Sequence, residues 1–368
     1  MAQHVTRGHV TADFWRGKRV FLTGHTGFKG GWLAHWLVQM GAEVTGFSLA
    51  PNTDPALFDA LGLSQRLTHH VGDIRDAQHL RDTLIAAEPD VVLHLAAQPI
   101  VSEGYDDPVG TFATNVMGVV HLLEACRALT RPAQVLVISS DTCYRNDNSG
   151  RAFQVTDPLG GHDPYSASKA GTEIVVGAYA ASFFPADGPV RVASARAGNV
   201  VGGGDWSLNR LVPDGARCFA AGAPLTLRNP MATRPWQHVL EPLYGYLALV
   251  EAMAADAQFA RPWNFGPVAN THEKVGRVAD LMAQAWGAGA QVQVTTDAQD
   301  WEEAKTLDID SQDTLDTLKW APVLDLPQTI DWTVDWYRHL YDAHDPDAVR
   351  EMTQAQIDAY VALQAKRS

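Results

Sequence analysis

The sequence predicts an α/β protein: a doubly wound parallel sheet with a smaller C-terminal α/β lobe. Three observations predict it. An apolar strand runs into a glycine-rich turn and then a helix near the start. Apolar runs alternate with helical patterns through the first half. Beyond about Val190 the pattern breaks into short, less regular segments.

The first observation is Arg19-Val-Phe-Leu22, then Thr23 to Gly31, then the helical spacing Trp32-Leu33, Trp36-Leu37, Met40. The glycines fall as Gly24-x-x-Gly27-x-x-Gly30. Glycine is needed where the backbone turns tightly and a pyrophosphate must approach without a Cβ in the way. The helix N-terminus then offers free N–H groups and the positive end of its dipole. The flanking strand and helix make this a Rossmann-type dinucleotide site.

The alternation continues with strands at Glu43–Phe47, His69–Gly72, Val91–Leu95 and Gln134–Ile138, and a long helix over about Pro108 to Ala128. Runs such as Val91-Val-Leu-His-Leu95 suit strands covered on both faces. Ligands in such sheets bind beyond the carboxyl ends of the strands, so the segments after Leu22, Leu95 and Ile138 point at one crevice. Arg191–Ala195 is a further strand, with short strands at Leu225–Leu227 and Trp263–Phe265 and helices near Val275–Trp286, Leu326–Leu340 and Ala348–Leu363. The expected division is an extension over 1–15, the dinucleotide domain over 16–190 with later segments interleaved, a substrate lobe over 191–345, and a last amphipathic helix over 346–368.

Composition narrows the function. The net charge of −14 over 368 residues argues against a nucleic-acid surface. Apolar content of 46% supplies a core, but no apolar run is long enough to predict a membrane span. Met1 to Arg16 lacks the apolar segment of a signal peptide. The three cysteines, Cys126, Cys143 and Cys218, match no metal or disulfide spacing, and a reduced cytoplasmic setting is expected. No metal site is expected, and Cys143 reads as a structural thiol.

The second strand ends Phe47-Ser48-Leu49-Ala50, without the acid expected about twenty residues after the turn. Ser48 is the residue placed to bond a ribose hydroxyl, and NAD is expected with NADP left open. Asp73 and Ile74 suit an adenine, as a carboxylate for the exocyclic amine and an apolar flank; the alternative for Asp73 is a helix cap.

Tyr165-Ser-Ala-Ser-Lys169 carries the chemistry. Tyr and Lys at i and i+4 share a helix face. A nearby ammonium favours the phenolate, which can take the proton of a substrate hydroxyl as its carbon gives up hydride. Lys169 also holds the nicotinamide ribose.

With these residues the chain resembles the extended short-chain dehydrogenases/reductases acting on nucleotide sugars, and among them the CDP-glucose 4,6-dehydratases. The resemblance rests on residues 17–30, His94–Pro99, Ser140–Tyr144, Gly160–Lys169, Arg196–Trp206 and Arg234–Pro242. It implies that Thr26, Phe28 and Lys29 join the glycines at the cofactor and that Ala96 and Ala97 line the nicotinamide side. It has Asn115 support the helix and a catalytic water near the site, and places Gln98 and Asn199 at the substrate. Arg234, with Arg228 as a second candidate, clamps the diphosphate. Trp206 and Trp236 either flank base and sugar or belong to the core. Dimers through the helices Phe112–Ala128 and Tyr165–Phe183 are expected.

In that family a 4-hydroxyl is oxidised, water leaves across C5–C6, and hydride returns to C6. A Ser or Thr bonds the 4-oxygen, an acid serves the leaving hydroxyl, and the next residue, Lys or Glu, takes the C5 proton. Here the triplet is Ser140-Asp141-Thr142. A threonine hydroxyl is too weak a base, and losing a positioned base costs about 10²–10⁴-fold. Ser102 stands where the family has Arg, and Ser149–Val155 replaces an aromatic loop; both changes are expected to face the sugar. Three readings follow: a dehydratase with a substitute base, for which Glu103 is the candidate if it is not a solvated loop acid; a nucleotide-sugar epimerase, which Thr142 resembles; or a non-catalytic binding protein, which the intact Tyr165 and Lys169 oppose. A CDP-hexose is the expected substrate.

Overall fold

A computed structural model describes residues 8–267, 273–295, 306–342 and 346–367. Seven parallel strands form the central sheet: β1 Arg19–Thr23, β2 Glu43–Ser48, β3 Thr68–Val71, β4 Val91–His94, β5 Ala133–Ile138, β6 Val190–Ala197 and β7 Pro262–Phe265. Their order is β7-β6-β5-β4-β1-β2-β3. The order reverses between β1 and β4, the position where such sheets bind ligands.

Side-chain alternation explains why both faces are covered. On one face Val20, Leu22, Val91, Leu93, Leu136, Ile138, Ala193 and Ala195 join a core with the helices Phe28–Gln39 and Leu240–Ala255. On the other, Phe21, Val92, Val135, Val137 and Val192 pack with the helices Ala77–Ala87, Gly118–Cys126 and Pro164–Phe183. A period of two along each strand sends alternate residues to opposite cores.

Later segments enter the sheet beyond 190. Both β6 and β7 lie past it and pair in the central sheet, β7 with β6 from Pro262↔Ser194 to Phe265↔Ala197. Leu225 and Leu227, whose strand pairs with Val292–Val294, share the same core as β1, so the lobe and the sheet grow from one apolar body. The two ends of the described chain are also tied down. Thr11 donates its N–H and hydroxyl to the Glu251 carboxylate at 2.9 and 3.0 Å, and Trp15 donates its indole N–H at 2.8 Å. The helix Pro346–Ala365 buries Val349, Ile357 and Tyr360. Residues 1–7 of the expected extension lie outside the described residues.

The helix expected from Pro108 is present to Cys126, but residues Ala113–Met117 form a π turn. The turn frees the Asn115 carbonyl, which accepts the Thr172 hydroxyl at 2.7 Å. By length and composition Pro108–Cys126 is apolar enough to cross a membrane, with mean hydropathy 1.3. In the fold it packs against Ala77–Ala87 and Pro164–Phe183.

Candidate active site

A cleft of about 1750 Å3 opens over the carboxyl ends of the strands, and most of the expected residues meet there. At its head lies the glycine turn. Gly24 has φ +77°, and a Cβ on it would stand 2.6 Å from the Ala96 nitrogen. A Cβ on Gly30 would stand 2.0 Å from the Gly24 carbonyl oxygen. These two glycines are fixed by the protein itself. Gly27 is different: its Cβ would meet nothing nearer than the Gly24 oxygen at 3.5 Å. Gly27 therefore leaves room for a ligand rather than for the chain. No side chain caps the helix that follows, so its first N–H groups face the cleft unclaimed. These features fit a dinucleotide diphosphate.

Beside the turn, the Thr26 hydroxyl donates to the Leu49 carbonyl at 2.9 Å and pairs with the Ser48 hydroxyl at 2.8 Å. Ser48 thus donates to Thr26 and keeps lone pairs for a ribose hydroxyl. Asp73 lines the cleft, with its carboxylate forked by Arg75 at 2.6–3.0 Å, which holds it below the usual range. It does not cap the next helix; Asp76 does. Ile74, Ala96 and Ala97 line the same wall.

Tyr165 and Lys169 lie in the first turns of Pro164–Phe183, started by an Asp163 capping box. Burial pulls Lys169 down to about 8, against the upward effect of Glu173. Burial pushes the Tyr165 phenol up, against a hydrogen bond with Ser140 and the charge of Arg210. In the protein alone, desolvation outweighs the Arg210 charge at this phenol.

Ser140, Asp141 and Thr142 follow β5. The Ser140 hydroxyl donates to Asp141 Oδ1 at 3.0 Å and accepts the Thr142 hydroxyl at 3.0 Å. Asp141 is 3% exposed. Its Oδ2 is buried without a partner, and burial raises its pKa to about 6, opposed by Ser140, Arg234 and Lys29. A carboxyl whose pKa is raised toward neutrality can both hold and release a proton there, as an acid must.

The other expected residues divide. Asn199, Arg228, Arg234, Trp206, Trp236 and Glu103 line the cleft. Trp206 also serves the core, edge-on to Tyr337 at 5.2 Å. Glu103 is exposed on the short helix Val101–Asp106. Gln98 is not brought to the cleft. Its amide donates to the Thr111 hydroxyl at 2.8 Å, and its backbone is held by the Asn115 carboxamide at 2.8 and 3.0 Å. Asn115 in turn donates to Ser168 at 2.8 Å, so it braces the catalytic helix from behind.

The loop Ser149–Val155 does not face the sugar side either. Phe153 stacks on Tyr144 at 5.2 Å and packs with Ile309, turning the loop into a small core. Ser102 does line the cleft. Cys143 is fully buried and its thiol is pushed well up, chiefly by burial.

Arg210 was not legible as a site residue. Nη2 donates to the Pro99 carbonyl at 3.1 Å and Nη1 stands 3.7 Å from Asp205, so it bridges the lobe and the β4 loop across the cleft. Its place just after the Gly-Gly-Gly-Asp-Trp signature was the available signal. Lys29 was placed with the cofactor turn, but its approach to Asp141 and Lys169 could not be read from spacing.

A family model for GDP-mannose 4,6-dehydratase matches residues 21–333. The chain is 42% identical to CDP-glucose 4,6-dehydratase of Salmonella typhimurium, over 89% of this chain and 93% of that protein. It is 26% identical to a dTDP-glucose 4,6-dehydratase of Xanthomonas campestris, over 86% of this chain and 92% of that protein. Among solved structures, a Thermotoga maritima UDP-glucose 4-epimerase with UDP-glucose superposes with a TM-score of 0.76 at 19% identity, over 88% of this chain and 99% of that one. A Streptomyces venezuelae dTDP-glucose 4,6-dehydratase with NAD bound gives 0.72 at 23%, over 87% and 96%. These two likenesses show the fold. With its glycine turn, its Tyr165–Lys169 pair and its acid after β5 in one cleft, the chain belongs to the nucleotide-sugar 4,6-dehydratase family and is a homologue of CDP-glucose 4,6-dehydratase.

Proposed function

We propose that this protein is an NAD-dependent 4,6-dehydratase of a CDP-hexose. The observation that carries the reading is Asp141, a buried carboxyl with pKa about 6 bonded to Ser140 in the cleft of Tyr165. An epimerase has no use for an acid there, whereas an elimination must protonate its leaving hydroxyl.

The chemistry a nicotinamide supplies in this cleft is reversible hydride storage. Tyr165 takes the proton of the sugar 4-hydroxyl, and Ser140 bonds the 4-oxygen. Lys169, buried against the same helix, holds the ribose and the charge. Asp141 gives its proton to the departing 6-hydroxyl once the 4-ketone has acidified C5–H. Arg234, with Arg228 as the second candidate, holds the diphosphate, which Asn199 also contacts. Thr142 donates to Ser140 and takes no proton, so the C5 base comes from elsewhere; Glu103 at the cleft mouth is one candidate. Thr142 is also what favours the second reading, a 4-epimerase.

Several apolar side chains stand exposed on the two helices expected at a dimer interface: Phe112, Met117, Ile174 at 59% and Phe183. They support a homodimer through these helices. A monomeric mass in light scattering would refute that part.

The test is a product mass. Incubation with NAD and CDP-glucose should release one water from the sugar nucleotide. An unchanged mass with an inverted carbinol centre would move the reading to epimerase.

A further inference from the structure

The elimination needs a base for C5–H, and Thr142 cannot serve. Several acids that line the cleft are already committed. Asp73 is forked by Arg75, Asp163 caps the catalytic helix, Asp205 accepts the Ser207 N–H, and Asp214 pairs with Arg217. Two exposed carboxylates remain beside Asp141, Glu103 and Asp106 on the short helix Val101–Asp106. His162 remains as well, the one histidine among the described residues that line the cleft.

The chain path ties His162 to both the triplet and the tyrosine. Tyr144 and Leu159 form an antiparallel bridge, and the Gly160 N–H donates to the Cys143 carbonyl at 2.9 Å. From that bond the two segments run in opposite directions, one back through Thr142 and the other forward to His162. The second is pressed onto the catalytic helix, where a Cβ on Gly161 would stand 2.3 Å from the Ala167 nitrogen. It ends at Asp163, the cap of that helix, two residues before Tyr165. His162 thus stands on the short link from the neighbour of Thr142 to the start of the catalytic helix.

Its ring is set for proton transfer. Nε2 lies 3.3 Å from the Asn146 carbonyl. A carbonyl only accepts, so Nε2 carries the hydrogen and the neutral ring keeps its lone pair on Nδ1. Asn146 is itself held: its side chain donates to the Thr306 carbonyl at 2.8 Å and accepts the Asn148 N–H at 2.8 Å. The bond to Asn146 also survives protonation of Nδ1, because Nε2 remains a donor. Imidazole is a stronger base than an ordinary carboxylate by about two pKa units.

We propose that His162 is the base of the elimination and takes the C5 proton on Nδ1. The electron pair of C5–H forms the C5–C6 double bond and the C6–oxygen bond breaks. Asp141 gives its proton to the departing oxygen, which leaves as water. When hydride reaches C6, the imidazolium returns its proton to C5, and the ring ends neutral. The inference rests on the dehydratase reading and supplies the residue that reading lacks.

The test is run in deuterated water with NAD and CDP-glucose, on the wild type, His162→Gln and Glu103→Gln. Cofactor reduction is read by absorbance, water loss by mass, and deuterium at C5 by NMR. The wild type should give a dehydrated product carrying deuterium at C5. His162 is exposed, so His162→Gln should fold. It should still reduce the cofactor, lose water about 10²–10⁴-fold more slowly, and return CDP-glucose without deuterium at C5. Wild-type water loss in His162→Gln overturns the inference, and so does deuterium at C5 in the substrate recovered from it. Loss of cofactor reduction in the same variant would make His162 a support of the catalytic helix and also overturns it. The defect expected of His162→Gln, found in Glu103→Gln instead, assigns the base to Glu103. A wild type that reduces the cofactor yet releases no water strikes the dehydratase reading itself.

Discussion

Glu173 lies one helical turn beyond Lys169, and its Oε2 is held by Arg196 at 2.7 Å and by the Ser194 hydroxyl at 2.8 Å. Both charged partners are almost wholly buried, at 3% and 1% side-chain exposure. The pair anchors the catalytic helix to β6 and supplies the negative charge that keeps Lys169 from falling further. Glu173→Gln leaves a buried guanidinium without its carboxylate. It should cost about 3–5 kcal/mol in denaturant unfolding. It should also move the alkaline limb of the pH–rate profile to lower pH, a shift that a purely structural loss would not give.

Asp141→Asn removes the acid but preserves the shape. Water loss should fall by about 10²–10⁴-fold, while reduction of the cofactor by the sugar, read as absorbance of the reduced form, should persist. Because burial raises Asp141 from 3.8 to about 6, the protonated acid survives to about pH 6 and declines above it. The elimination step in the wild type should follow that decline. Loss of both steps in the variant would count against the assignment.

Gly27 and Gly30 should part company. Gly27→Ala places a methyl in open cleft and should change unfolding free energy by less than about 0.5 kcal/mol while weakening dinucleotide binding severalfold. Gly30→Ala drives a methyl into the Gly24 carbonyl at 2.0 Å and should destabilise by about 1–3 kcal/mol or more. Equal loss of stability in both would refute the distinction.

Two buried carboxyls clamp chain ends to Leu240–Ala255. Glu251 holds Thr11 and Trp15. Glu241 accepts the N–H groups of Val323 and Leu324 at 2.9 and 2.7 Å, and the Tyr360 hydroxyl. Burial raises both from 4.5 to about 7. The folded state thus holds protons that the unfolded state releases, so their contribution is full below pH 4.5 and is lost as pH rises to 7. The urea midpoint should be lower at pH 7.5 than at 5.5 through these groups. Glu251→Gln, which mimics the protonated form, should shrink that difference.

The sequence by itself determined the fold class, the glycine turn and the tyrosine–lysine pair. These are local features: a period of two, a turn that only glycine can make, and a four-residue helical spacing each lie within a short window. It also fixed the absence of an amine or carboxylate at Thr142. Tertiary structure decided the rest. Gln98 reads as a substrate ligand until Thr111 and Asn115, brought close by a π turn, claim it. Ser149–Val155 reads as a sugar-facing loop until Phe153 finds Tyr144. The strand Pro262–Phe265 reads as one of several short strands in an interleaving lobe, and only its pairing with β6 sets it in the central sheet. Lys29, Asp141 and Arg210 come from three separate stretches of chain, and only folding places their charges in one cleft. Charge interactions depend on distance and burial, and neither quantity is written in the order of residues.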